Sequence, residues 1–370
     1  MKPRVGLLTN IPSPYQVELF DAIARRGRID LRVWYCAPRD ARRLWEEQRP
    51  SHPHEIGAGW RVKTAREHWY LDPRPARQLL RWRPDLAVLS VYTTPTVQLA
   101  MWQASLARVP WVFWGEAVGA GGDALLRRAG RALALLPARR WAAGFFAVGG
   151  KGVSNYRRVF GGGRPILNVP YFSDLTRFSL RPPRPPRDPT FLFVGSFIRR
   201  KGLDTLAGAF NEVVKMRPQA RLVVAGDGDT RESFDRYLST AAAARVQRLG
   251  FVPWARLPEL YREGDFLVMP SRYDGWGLVI PEAMASGLPV IGSVEAGATL
   301  DLVRDDVTGW RVSAGDLAGV AQAMLRALAQ TPEALDDMRR HCVVRARRYD
   351  ASVGARVFER AVRVMLNPIR

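Results

Sequence analysis

YDGWGLVIPEAMASGLPVIG, residues 273–292, sets two carboxylates, Asp274 and Glu282, at the ends of an almost wholly apolar run. DFLVMPS (265–271) just before it reads as a buried strand, so Asp274 falls in the loop at that strand's carboxyl end. Pro281 suits the first turn of a helix, where its missing N–H costs nothing, and the helix dipole favours Glu282 in that turn. Gly275 and Gly277 permit close backbone approach to a ligand. One reading is a turn acid followed by a helix-start acid. The other is a polyol clamp, in which two carboxylates accept hydrogen bonds from sugar hydroxyls while backbone N–H groups meet phosphate.

Upstream, FVGSFIRRKG (193–202) ends a strand at Gly195 and stacks Arg199, Arg200 and Lys201 just before a helix expected near Leu203. Positive charge beside a helix N-terminus suits phosphate; a solvated basic turn is the alternative. LVVAGDG (222–228) is a strand running into a glycine-rich turn, a weak signal by itself.

Short apolar runs alternate with helix-spaced segments along the whole chain: RVGLLTN, IDLRVWYC, PDLAVLSVY, PWVFWGE and GFFAVGG in the first half, then FLFVGSF, ARLVVAGDG, VQRLGFV, DFLVMPS, LPVIGS and GWRVS. A helix is expected from Glu232 to about Ala243. Such alternation predicts parallel sheets covered on both faces, hence an α/β fold of two Rossmann-like domains with ligands at the carboxyl ends of the strands, facing a central cleft. Five prolines in RPPRPPRDPT (181–190) fit neither helix nor central strand and read as a linker. The predicted organisation is one Rossmann-like domain at 1–180, the linker at 181–190, a second Rossmann-like domain at 191–350 and a closing helix at 351–370.

At 370 residues the chain exceeds what one typical core supports. No apolar run approaches the roughly 20 residues that span a bilayer, and Asn10 and Pro12 cut the first run too short for a secretion signal. Cys36 and Cys342 stand far apart, and the four histidines form no metal-binding pattern. The net charge of +21 is unevenly spread. Residues 1–187 carry 31 Lys and Arg against 13 acids, and residues 188–370 carry 25 against 22. A basic first half attracts anionic surfaces, whether lipid headgroups, phosphorylated substrates or nucleic acid.

SRYDGWGLVIPEAMASGLPVIGS resembles the signature of the family-4 retaining glycosyltransferases of the GT-B fold: an acid, seven residues, a Glu, then Ala-Met-Ala-x-Gly-x-Pro-Val. FVGSFIRRKGLDTL, LVVAGDG, LGFVPWARLPELYREGDFLVMPS and GATLDLVRDDVTGW extend the resemblance over nearly all of 190–312. NIPSPYQVELF and NVPYFSDLTRF extend it weakly into the first half. The resemblance implies a nucleotide diphosphate sugar as donor, Glu282 on its ribose, Asp274 on the sugar, and the backbone of Gly277 and Leu278 near the diphosphate or sugar. It assigns Lys201 to the diphosphate, beside Arg199 and Arg200, and backbone groups of Val252 to the base edge, with core packing as the alternative there. Relatives carry Glu where this chain has Asp274, and Arg directly after Gly195, where this chain has Ser196. In the first half, Asn10, Ser13 and Tyr15 fall where the acceptor-side loop is expected. Glu116 falls where an acceptor-side residue is expected that could take a proton from a hydroxyl; a loop-capping acid is the alternative.

Residues 124–140, ALLRRAGRALALLPARR, mix Leu and Ala with Arg and contain no acid. They read either as a basic amphipathic helix suited to an anionic membrane surface or as a solvated helix. The expected activity is sugar transfer with retention of anomeric configuration, without a metal or other cofactor, to a glycan or lipid-linked acceptor. The expected location is the cytoplasm, peripheral on the inner face of the membrane, with no nucleic-acid partner. Competing readings are a GT-B epimerase or phosphorylase, a basic nucleic-acid-binding protein and a catalytically silent scaffold.

Overall fold

A computed structural model describes residues 1–40, 48–57, 60–63, 68–119, 125–178 and 188–367. They divide into two compact units, Met1–Asp174 with Ala351–Arg370, and Leu175–Asp350. Most of the proline-rich stretch lies outside the described residues; at its end Thr190 already opens a strand.

The first unit holds strands β1 (Arg4–Thr9), β2 (Asp30–Tyr35), β3 (His54–Ile56), β4 (Trp60–Lys63), β5 (His68–Leu71), β6 (Leu86–Ser90), β7 (Trp111–Gly115), β8 (Gly144–Ala147) and β9 (Ile166–Asn168). Its helices are α1 (Pro14–Arg26), α2 (Pro73–Arg81), α3 (Pro95–Leu106), α4 (Leu125–Ala134), α5 (Leu136–Trp141) and α6 (Gly149–Phe160). Seven strands pair in the order β3-β2-β1-β6-β7-β8-β9, all parallel, and β4 and β5 form a separate antiparallel ribbon. The central strands are largely apolar because helices cover both faces; β6 and β8 are buried at every residue.

The second unit holds β10 (Thr190–Val194), β11 (Arg221–Ala225), β12 (Val246–Gly250), β13 (Phe266–Met269), β14 (Val290–Ser293) and β15 (Gly309–Val312) in the parallel order β12-β11-β10-β13-β14-β15. Its helices are α7 (Leu203–Met216), α8 (Arg231–Tyr237), α9 (Thr240–Ala243), α10 (Leu257–Glu263), α11 (Val279–Ala285), α12 (Gly297–Leu302), α13 (Leu317–Leu328) and α14 (Pro332–Ala346). The last helix, α15 (Ala351–Leu366), packs in the first unit: Arg26 of α1 makes a bidentate pair with the buried Glu359, at 2.7 and 3.2 Å.

Two expected helices are broken. The segment 232–243 is α8 and α9, because Leu238 is extended and Ser239 starts a new helix by accepting the Ala242 N–H at 3.2 Å. The basic segment 124–140 is α4 and α5, with Pro137, which has no N–H to give, in the first turn of α5. Ala124 and the side chains of Leu125, Leu126 and Arg127 lie outside the described residues.

In each sheet the strand order reverses once, between β1 and β6 and between β10 and β13. Loops leaving the carboxyl ends of such strands diverge and open a crevice, which is where open α/β sheets bind ligands.

Candidate functional site

In the second unit that crevice brings together the turn after β10 and the loop after β13. The turn after β10 is seated by glycines. A Cβ on Gly226 would stand 1.9 Å from the Gly195 carbonyl oxygen, and one on Gly228 would stand 2.4 Å from that of Phe197. The GDG turn therefore backs the loop 195–197, tied by Phe197 N–H to Asp227 O at 2.9 Å. Ser196 is exposed at the tip. Arg199–Lys201 form one 3-10 turn, and Gly202 (φ 73°) leads into α7; a Cβ there would lie 2.3 Å from the Pro270 carbonyl.

The two loops are laced further. Arg272 donates its N–H to Arg200 O at 2.8 Å and grips Asp204, in the first turn of α7, at 2.7 and 2.6 Å. That charge-assisted pair holds the Asp204 carboxyl below its usual range. Lys201 Nζ pairs with Asp274 Oδ2, each side chain only 12% exposed, and Arg200 Nη1 lies 3.6 Å from the same oxygen. Arg200 also donates to Tyr273 O at 3.2 Å, whereas Arg199 is exposed. The backbone of Asp274 bridges to Glu295 O and Gly297 N, both at 3.3 Å, so the acid sits on a strand-like support. Gly277 (φ 95°) leaves no room for a side chain, since its Cβ would meet Met269 Cε at 2.9 Å; Leu278 follows as the N-cap of α11.

Glu282 is 5% exposed and accepts a hydrogen bond from Tyr261 Oη at 2.9 Å. Burial pushes its carboxyl up from 4.5 to about 7, against the opposing pull of Tyr261 and of Arg177. Arg177 stacks 3.4 Å from the Trp254 ring centroid, and Phe178 packs on Tyr261. Val252 is half-buried in the loop after β12, two residues before Trp254. Asp274 and Glu282 thus belong to different groups: the first is a half of an ion pair, the second a buried acid on the Tyr261 hydroxyl. Arg177, Trp254 and Tyr261 escape sequence reading because their partners are distant in the chain.

In the first unit, Tyr15 packs on Tyr171 at 4.8 Å between ring centroids. Burial, then the neighbouring charges of Glu116 and Tyr15, hold the Tyr171 hydroxyl well above its usual value. Tyr15 and Glu116, 101 positions apart in sequence, therefore both neighbour Tyr171, which sequence reading did not single out. Asn10 is half-buried, with its Oδ1 accepting no hydrogen bond among the described residues, and the buried Ser13 Oγ donates to Gln16 Oε1 at 2.8 Å. Val91, directly after β6 at the strand-order reversal, holds φ 60°, a conformation that β-branched residues rarely adopt.

Residues 188–330, which make up most of the second unit, match the family described as glycosyl transferases group 1. An uncharacterized glycosyltransferase of Methanocaldococcus jannaschii is 37% identical over 119 residues, which are 32% of this chain and 30% of that relative. The chain thus spans about a third of that relative's length. Among solved structures, sucrose-phosphate synthase from Thermosynechococcus elongatus superposes with a TM-score of 0.76 at 19% identity, covering 98% of each chain. Anabaena HepE, solved in complex with UDP, gives 0.75 at 16% identity, covering 98% of this chain and all of its own. The fold is GT-B, built of two Rossmann-like units.

Proposed function

We propose that this protein is a glycosyltransferase that moves a sugar from a nucleotide diphosphate sugar to an acceptor hydroxyl with retained configuration and without a metal. The observation that carries this is the meeting of the Arg199–Lys201 turn with Asp274 at the strand-order reversal of the second sheet. The donor's diphosphate gains charge as the sugar leaves, and Lys201, Arg200 and the N-terminus of α7 supply fixed positive charge to meet it. In the unliganded protein Asp274 neutralises Lys201. A diphosphate arriving beside Lys201 takes over that role and frees Asp274 to accept from a sugar hydroxyl. Glu282, ionised on binding, accepts from ribose; Gly195, Ser196, Gly277, Leu278 and Val252 contribute backbone around the donor. Glu116 and Tyr15 lie on the acceptor side together with Asn10 and Ser13.

The acceptor is membrane-proximal in this reading. Its support is the surface of the first unit, where the exposed Trp102 and Trp141 rings contact each other at 5.2 Å near exposed Leu106 and Leu136 and the cations Arg139 and Arg140. Aromatic and basic groups side by side suit the headgroup layer. Among the described residues no helix is long and apolar enough to cross a membrane.

Incubation with UDP-, GDP- and ADP-sugars in the presence of bacterial lipid extract tests the activity. Sugar transferred to lipid, lost in Lys201→Ala, is expected. Conversion of donor without any acceptor would favour an epimerase instead, and no consumption of any donor would refute the proposal.

A further inference from the structure

The first unit contains a second feature, a cavity of about 810 Å³. Arg128 and Arg131 of α4, Arg139 of α5 and Arg158 of α6 line it over an apolar floor that includes Leu135. None of the described residues lining it is acidic. Three helices thus bring four guanidinium-bearing side chains to one space, a concentration of positive charge that attracts anions.

The walls are fixed. Asn155 of α6 clamps the loop after β7, accepting the Val118 N–H at 2.9 Å and donating to Val118 O at 3.0 Å. Gly119 (φ 79°) closes that loop against Arg131, whose guanidinium would stand 3.3 Å from a Cβ at this position. Arg164 donates to the carbonyls of Ala138, Arg139 and Ala142, holding the end of α5 in place. The clamped loop follows Glu116 in the chain, the acid assigned to the acceptor side.

Guanidinium groups present paired N–H donors that match phosphate oxygens, and the volume accommodates a diphosphate with its ester group over the apolar floor. We infer that this cavity binds a phosphate or diphosphate ester belonging to the acceptor. The word acceptor rests on the glycosyltransferase reading; the anion site does not.

The test uses the full chain, its Lys201→Ala variant, which removes a diphosphate ligand of the second unit, and an Arg128→Gln/Arg158→Gln double variant. Both of the latter arginines are exposed, so the fold tolerates the change. Calorimetric titrations use inorganic pyrophosphate, geranyl diphosphate, and phosphatidylcholine vesicles with and without phosphatidylglycerol. Soluble diphosphates are expected to bind the parent chain and Lys201→Ala alike, and at least about tenfold more weakly in the double variant. A loss seen only with phosphatidylglycerol vesicles keeps the cavity as the anion site and assigns its phosphate to a lipid headgroup. Equal binding of every probe by the double variant and the parent overturns the inference, as does abolition of soluble binding by Lys201→Ala alone. UDP binding by the double variant, measured in parallel, reports on the donor site separately.

Discussion

Replacing Glu282 by Gln isolates the cost of burying this carboxylate. Glutamine keeps the shape and still accepts from Tyr261 Oη, but it never ionises. The carboxyl is fully enclosed and its affinity for a proton rises from 4.5 to about 7 on folding. A raised acid binds more protons folded than unfolded between those values, so the folded state loses stability as pH climbs through that window. At 1.36 kcal/mol per pH unit, the wild-type chain forfeits roughly 2–3 kcal/mol relative to Glu282→Gln between pH 5 and pH 8. For a unit of this size that corresponds to a melting shift of roughly 5–10 °C. Urea unfolding of both proteins at pH 5 and pH 8 measures it: the stability difference should move in favour of Gln by that amount at the higher pH. A difference independent of pH would show that the carboxyl is not buried as described and would remove the basis for its proposed ionisation on donor binding.

Lys201→Met and Asp274→Asn should each destabilise the second unit, and their double-mutant cycle should give a coupling of about 1–3 kcal/mol, because each half of the mostly buried pair loses its partner; additive effects would contradict the pair. Gly226→Ala should lower stability by at least about 2 kcal/mol in thermal melts, since its Cβ would overlap the Gly195 carbonyl, and an unchanged melting point would refute that packing. Trp102→Ala/Trp141→Ala should weaken sedimentation with phosphatidylglycerol vesicles several-fold while leaving the melting temperature nearly unchanged, because both rings are surface-exposed; unchanged sedimentation would remove this surface from the membrane proposal.

Much of the fold was legible because period and punctuation agreed. Runs such as LAVLS and FLVM are nearly apolar without alternation, which is how strands buried on both faces must read, and the helix expected near Leu203 is α7, which starts there. The edge strands β3 and β9 escaped notice because three half-exposed residues carry no pattern. Helix spacing from 232 to 243 concealed the break at Leu238, which depends on Ser239 outcompeting the helix for a backbone N–H. Within the candidate site, local sequence placed Asp274 in a loop and Lys201 before a helix. It could not indicate that the two would neutralise each other across 73 residues, or that Glu282 would face Tyr261 inside the protein. Nor could it show that Arg128 and Arg131 meet Arg139 and Arg158 around one cavity, since that depends on how three helices pack. Residue types announce chemistry; only the strand order decides which of them become neighbours.

The most direct test of the central claim is calorimetric titration of UDP-, GDP- and ADP-sugars into the wild-type chain, Lys201→Ala and Glu282→Ala. One nucleotide sugar should bind the wild type and bind each variant at least about tenfold more weakly, each loss removing a hydrogen bond to a charged group. Binding of none of them, or equal binding by all three proteins, would contradict a donor site built on Glu282 and Lys201.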